Sequence, residues 1–305
     1  MLLFQMSFLK KQIAFIGSTA SGKSALALKY AKRFGANILS LDSLAIYKEI
    51  DIVSAKPTLK ERDGILHFGI DEIYPNEHFD VTLFINLYNR ARRESIKEGR
   101  ELVIVGGTSF YLYILLNGIS PLPKISDRSR ELVRDYLKDL NKAYSFLYSI
   151  DRDYMQNIKP TDRYRLEKAL ELYFETSIIP SRYFALNPPE PIIRDNIEIY
   201  EIDINRDILR ERIEIRTEQM FSRGLVDEVK YLENRYTREP NCMKAIGIRE
   251  ILRYFDGEFS LEEAKEKIII NTARLAKRQR TFNRSKFKNR RELLDLEQIE
   301  SKLFS

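Results

Sequence analysis

The chain of 305 residues contains one cysteine, two histidines and no tryptophan. A lone thiol, Cys242, excludes an intrachain disulfide, and with only His67 and His78 beside it no Cys/His zinc centre can be assembled. A reducing cytoplasm is the expected setting. Also missing is any apolar run approaching the roughly 20 residues that a bilayer-spanning helix needs. The first nine residues, MLLFQMSFL, have the apolar character of a secretion signal, but Lys10 and Lys11 follow at once, a strand begins, and no small-residue cleavage site is present. No membrane attachment is expected. Internal repeats and low-complexity tracts are absent as well, which leaves solenoids and disordered arrays out of consideration.

What remains is the composition of a folded, soluble protein. Apolar residues make up 44% and charged residues 31%, and 17 Tyr with 17 Phe supply bulky core volume in place of Trp. The length allows one large or two modest domains. A net charge of +6 is by itself a weak pointer to a polyanionic partner, but its distribution is more informative. From Arg274 to Arg291 there are nine Lys/Arg and no acid, with Phe282 and Phe287 interleaved. That is the pattern of a stripe that tracks phosphates and offers rings for base stacking, although a solvated helix end would look the same.

Short apolar segments alternate with helical periodicity through the first third. Gln12 to Ile16 reads as a strand, followed by a glycine loop and an amphipathic helix through Ala25, Leu26, Leu28 and Ala31. Further strands are expected at Ile38 to Leu41 and at Glu101 to Val105, with a charged helix from Phe84 to Glu98 between them. This order predicts an α/β fold with a parallel sheet flanked by helices on both faces. After the PLP at 121–123 the pattern becomes helical, so residues 123–191 are expected to form an inserted all-helical domain. Residues 1–122 would begin the core and 192–305 complete it, with one strand at Ile197 to Ile204 and only helix thereafter.

The most specific local signal is Gly17-Ser18-Thr19-Ala20-Ser21-Gly22-Lys23-Ser24, which matches G-x-x-x-x-G-K-[ST] between a strand and a helix. Glycines let the backbone wrap an anion, successive N–H groups and a helix N-terminus point at its oxygens, Lys23 adds a mobile cation, and the Ser24 hydroxyl can ligate Mg²⁺. The loop specifies a phosphate chain, ATP among the options, without saying which. Enzymes that hydrolyse or transfer phosphoryl groups with such a loop usually carry a metal-holding Asp after a later strand. Here Val105 runs into Gly106-Gly107-Thr108 instead, and the acid follows the second strand as Asp42-Ser43. Ligands of open parallel sheets gather at the carboxyl ends of strands, which makes Asp42 a candidate general base and Thr108 its neighbour. A carboxylate there also commonly caps a turn.

The segments GSTASGKS, LSLDSLAIYKEIDIVSAKP, LVIVGGTSFYLYILLNGISPLP, RERIEIRTEQMFSRGLVDEV, KAIGIRE and LAKRQRTF resemble, in order and spacing, the tRNA dimethylallyltransferase family across nearly the whole chain. The resemblance implies transfer of a dimethylallyl group from dimethylallyl diphosphate to N6 of the adenosine 3′ of the anticodon, with tRNA as partner and Mg²⁺ as cofactor; a monomer is expected, although the sequence does not fix the oligomeric state. The phosphate loop would then grip a leaving group, and no Walker-B acid would be needed. Carried over position by position, the resemblance makes Asp42 the base, sets Thr108 at the target nucleotide, and gives Lys23, Ser24 and Arg216 to the diphosphate. Arg212 lies four residues before Arg216, so both would share a helix face. RNA contacts are implied at Asp42, Ser43, Leu44 and Ala45, at Arg130, at Tyr164, Arg165, Leu166, Glu167 and Lys168, and at Lys244, Ala245, Ile246, Gly247, Ile248 and Arg249.

Departures from the family pattern are Ser18 for Pro, Ser24 for Thr and Ile248 for Tyr, and a partial H-H-L-I-D element survives as His67-Phe68-Gly69-Ile70-Asp71, to which no role is assigned. Two alternatives share the loop. A P-loop kinase would turn over ATP without RNA, and a nucleotide-sensing RNA-binding module would give no covalent product.

Overall fold

The structure is a computed structural model that describes residues 11–305, so the signal-like first nine residues lie outside the described part. Five strands follow one another as β1 (Gln12–Ile16), β2 (Ala36–Ser40), β3 (His67–Phe68), β4 (Glu101–Gly106) and β5 (Glu198–Ile202), and a sixth, β6 (Glu292–Leu294), lies near the end. They form one sheet in the order β3-β2-β4-β1-β5-β6, with every neighbouring pair parallel. All five residues of β1 are buried, as the apolar run Ile13–Ile16 requires of a strand covered on both faces, and the buried Gln12 that precedes it accepts from the Tyr88 hydroxyl at 2.8 Å.

Helices α1 (Lys23–Phe34), α2 (Leu59–Arg62), α3 (Val81–Lys97) and α4 (Ser109–Asn117) follow in the first part of the chain. Helix α1 starts directly at the phosphate loop because Gly22 adopts φ 95°, a left-handed conformation that reverses the chain at little steric cost. Helix α3 begins where the Asp80 carboxylate accepts from Leu83 N, and its buried side chains Phe84, Leu87, Tyr88 and Ala91 pack on β2 and β4. On α1's side, Leu26, Ala27, Tyr30 and Ala31 join Ile13, Phe15, Val103, Val105 and Tyr200 in the main core. Full burial of each large side chain contributes about 1.5–3 kcal/mol.

Leu116–Ile192 forms a compact unit of its own. It holds α5 (Asp127–Tyr136), α6 (Leu140–Ile150), α7 (Arg152–Met155), α8 (Arg163–Thr176) and α9 (Pro180–Leu186), with no strand among them. Its core gathers Val133, Leu137, Ala143, Leu147, Met155, Leu166, Ala169 and Leu170. The unit begins seven residues before the expected 123, so the PLP break lies inside it. The other unit, residues 11–115 and 193–305 of those described, is completed by α10 (Arg206–Ser222), α11 (Leu225–Tyr236), a 3₁₀ turn at Asn241–Lys244, α12 (Ile248–Phe255), α13 (Leu261–Lys286) and α14 (Leu296–Phe304).

Two strands depart from the sequence reading. β3 is two residues long and pairs with Ile38 and Leu39, too short for any periodicity to show. β6 contradicts the expectation that everything after Ile204 is helix, since Glu292–Leu294 pair with Tyr200–Ile202 at the sheet edge. It carries the chain into α14, which returns to the main core through Ile299 and Phe304. The interleaved rings of the basic stretch are corrected too. Phe287 is 1% exposed and packs with Phe282 and Tyr113, so it offers no face for a base.

Candidate active site

The carboxyl ends of β1, β2 and β4, adjacent in the sheet, open into a cleft of about 850 Å³. The phosphate loop forms one wall. Gly17 at φ 147°, Ala20 at φ 61° and Gly22 at φ 95° curl the backbone, and the N–H groups of α1's first turn have no acceptor within the helix. Ser24, in that turn, is exposed to the cleft and its hydroxyl makes no hydrogen bond among the described residues. Lys23 is buried, with Nζ donating to Ser18 O at 2.5 Å and to Ser21 Oγ at 3.4 Å. Burial, reinforced by the positive charge of Arg216 and only partly offset by Asp42, lowers the Lys23 pKa to about 7.

Arg216 reaches the same loop from α10. Its Nη1 donates to Thr19 Oγ1 and its Nη2 to Ser54 O, each at 3.3 Å, and burial pulls its pKa below the usual arginine value while Asp42 opposes the shift. Arg212, one turn earlier, lines the cleft as well. Two desolvated cations that repel each other beside a row of backbone donors form a site waiting for a multiply charged anion.

Asp42 sits opposite on the loop after β2. Its Oδ1 accepts from Leu44 N at 2.8 Å and Ala45 N at 3.1 Å, so it caps the turn, while Oδ2 accepts no hydrogen bond among the described residues. The two readings of this carboxylate are compatible because they use different oxygens. Gly106, at the end of β4, explains why no acid stands there. A Cβ on Gly106 would lie 2.7 Å from Leu41 Cβ and 2.9 Å from its backbone, so no side chain fits where β2 and β4 converge. Thr108 is tied to the same place by its N–H, which donates to Leu41 O at 3.2 Å.

Gln279 and Lys56 were not singled out by sequence reasoning. The Gln279 side-chain oxygen accepts from Thr19 N at 2.9 Å, and its amide nitrogen would lie 2.4 Å from a Cβ on Gly107, so one side chain from α13 touches both the phosphate loop and the Gly-Gly-Thr turn. It lies inside the basic stretch, among the charges and rings that dominate that segment's pattern. Lys56 lines the cleft, but its Nζ is bound to Asp71 at 2.5 Å, Asp51 at 2.6 Å and Tyr47 O at 2.9 Å. This gives Asp71 of the His67 to Asp71 segment a structural task, which it shares with Arg62 at 2.7 Å.

The cleft also gathers Ser43, Leu44, Ala45, Lys244, Ala245, Ile246 and Arg249 from the proposed RNA set. Glu250, 2% exposed, holds that second loop by accepting from Gly247 N at 2.8 Å, Arg249 Nε at 2.6 Å and Asn271 Nδ2 at 2.9 Å. Ile248 is a correction, since its side chain is fully buried and serves packing. Leu166 is another, buried in the core of the helical unit. In that unit Arg130, Tyr164, Arg165 and Lys168 are exposed and Glu167 is half-buried.

The IPP transferase family model matches residues 45–286, and the isopentenyl transferase model residues 11–72. A tRNA dimethylallyltransferase of Sulfurovum sp. (strain NBC37-1) is 56% identical over 279 residues, which cover 92% of this chain and 93% of that protein. Among solved structures, a eukaryotic dimethylallyltransferase acting on tRNA gives a TM-score of 0.84 at 26% identity, covering 96% of this chain and 76% of the other. The full-length tRNA isopentenylpyrophosphate transferase of Bacillus halodurans gives 0.69 at 29% identity, covering 96% and 94%.

Proposed function

This chain belongs to the IPP transferase family, and on that premise we propose that it moves a dimethylallyl group from dimethylallyl diphosphate to N6 of the adenosine immediately 3′ of a tRNA anticodon, releasing diphosphate. The observation that carries the reading is Asp42, with one oxygen committed to a turn and the other left open in the cleft that holds the phosphate loop. In the reaction the C1–O bond to diphosphate breaks, the N6–C1 bond forms, and Asp42 Oδ2 takes the N6 proton. A target adenine must leave its stack to reach the site, at a cost of a few kcal/mol. Thr108, whose N–H donates to Leu41 O beside Asp42, would meet the acceptor nucleotide.

Negative charge grows on the leaving diphosphate. Lys23, Arg216 and the loop N–H groups are already in place to receive it, and electrostatic elements of this kind are each worth about 10²- to 10³-fold in rate. The residues fit Mg²⁺. Ser24 Oγ is a hard oxygen donor with no hydrogen bond among the described residues, and Mg²⁺ characteristically shares itself between one or two protein oxygens and substrate phosphates. Bound there, the ion supplies further charge neutralisation.

The test is single-turnover transfer with unmodified tRNA, Mg²⁺ and dimethylallyl diphosphate, reading the mass of digested nucleosides. Alanine at position 42 removes the turn cap as well as the base, whereas Asp42→Asn keeps an oxygen for Leu44 and Ala45 N–H and loses only the basicity. Asp42→Asn is expected to cut the transfer rate by at least about 10²-fold with RNA affinity nearly intact. An unchanged rate removes Asp42 from the chemistry, and ATP turnover without a prenylated nucleoside replaces the proposal with a kinase.

A further inference from the structure

The turn over residues 50–56 borders the cleft through Val53, Ser54, Ala55 and Lys56, and a carboxylate from α11 holds its shape. Glu228 accepts from three consecutive backbone amides, Asp51 N at 2.9 Å and Ile52 N at 2.7 Å on Oε2, and Val53 N at 2.9 Å on Oε1. Three successive N–H groups converging on one anion reproduce the donor array of a helix N-terminus, with a protein side chain as the anion. The turn then closes on itself, since Ala55 N donates to Ile52 O at 3.0 Å and Ser54 Oγ to Ile50 O at 2.5 Å. Closure leaves the Ser54 carbonyl pointing at α10, where it accepts from Arg216 Nη2, and the other arm of the same guanidinium meets Thr19 Oγ1. A planar fork held by two acceptors has its orientation set by both of them.

We infer that Glu228 is a positioning residue for prenyl transfer: by gathering the Asp51, Ile52 and Val53 amides it fixes the Ser54 carbonyl, which aims Arg216 at the phosphate loop. The inference rests on Arg216 acting on the diphosphate. Without the carboxylate, three amides lose their acceptor, the turn opens toward water, and Arg216 keeps only its contact to Thr19. Glu228 itself reaches neither loop nor ligand, so its influence passes through one guanidinium.

That single route makes the inference testable by a mutant cycle on the full-length protein with tRNA and dimethylallyl diphosphate. Glu228→Ala is expected to slow single-turnover transfer about 10- to 10²-fold, the scale of an ångström-sized misplacement remote from the reacting atoms. Arg216→Ala is expected to cost about 10²- to 10³-fold. The double variant is expected to be no slower than Arg216→Ala, because the second change removes what the first acted through. A double variant slower by the product of the two single losses overturns the inference, since a carboxylate that only supported folding would add its effect in either background. Equally, a Glu228→Ala protein with wild-type rate overturns it. If Glu228→Ala does not fold, Glu228→Gln serves in the same cycle, retaining one acceptor oxygen for the Asp51 and Ile52 amides and predicting a smaller loss with the same non-additivity. An Arg216→Ala variant without effect, by contrast, strikes the diphosphate reading itself and is distinguishable from all of these.

Discussion

Lys23 is 7% exposed and spends its hydrogen bonds on the loop it sits in, whereas the side chains of Arg165 and Lys168 on α8 are 60% and 43% exposed and pair with Asp162 and Glu171 three residues away. Both regions are cationic and both are proposed to meet phosphate. In the cleft the donors are already fixed and removed from water when an anion arrives, in a low-dielectric setting in which each contact counts for more. On α8 water still surrounds the charges, and exposed pairs at this spacing are worth only about 0.2–1 kcal/mol. The first arrangement suits discrimination between a ground state and a transition state, and the second suits reversible capture of a long polyanion.

The sharpest way to break the comparison is at Lys23. Lys23→Met keeps the side-chain volume against the loop and removes the charge. Transfer at saturating tRNA is expected to fall by about 10²- to 10³-fold, with tRNA affinity unchanged in a filter-binding or anisotropy titration. A loss confined to tRNA affinity would place Lys23 with the α8 cations and erase the distinction between the regions.

Proton linkage sharpens the same contrast on a smaller scale. With a pKa lowered to about 7 in the free protein, Lys23 is mostly neutral at pH 8, and a bound diphosphate draws it back toward its ordinary value of 10.5. Binding therefore takes up close to one proton at pH 8. Above pH 7 the free protein must be protonated before it binds, so affinity for diphosphate is expected to weaken toward tenfold per pH unit between pH 8 and 9 and to level off below pH 7. Calorimetry in two buffers of different ionisation enthalpy measures the uptake. A value of zero would mean that Lys23 is already charged in the free cleft.

What could be read from the sequence divides along similar lines. The β1, phosphate-loop and α1 unit was legible because a fully buried parallel strand is an unbroken apolar run and because the loop's geometry demands glycine at fixed spacing. The absent acid after β4 was visible as well, although its cause, the contact of Gly106 with Leu41, was not. Gln279 was missed because its partner Thr19 is 260 residues away, and Glu228 because its three amides lie 175 to 177 residues away. Nothing in local patterning marks such residues. β3 and β6 were missed for another reason, being pieces of two and three residues that are strands only because a longer neighbour pairs with them. Charge counting misleads at Phe287, because the ring between the cations is 1% exposed and belongs to the packed interior, as does Asn283 one turn earlier.

The smallest effect is expected on α8, and there its form matters more than its size. Each phosphate neutralised by Arg165 or Lys168 releases condensed counterions, so Arg165→Ala and Lys168→Ala should each lower the slope of log affinity against log salt by about 0.7 to 0.9. The loss should be alike for different tRNAs, because a phosphate contact carries no base information. At saturating tRNA the single-turnover rate should stay within about threefold of wild type, since an interaction that binds ground and transition states equally changes affinity without changing the chemical step. Tyr164 offers the internal control. It is 70% exposed on the same helix and carries no charge, so Tyr164→Ala should leave the salt slope where it was even if affinity falls through lost stacking. Slopes that remain unchanged in Arg165→Ala and Lys168→Ala would show that their ties to Asp162 and Glu171 persist in the complex, and would remove α8 from the RNA-binding surface.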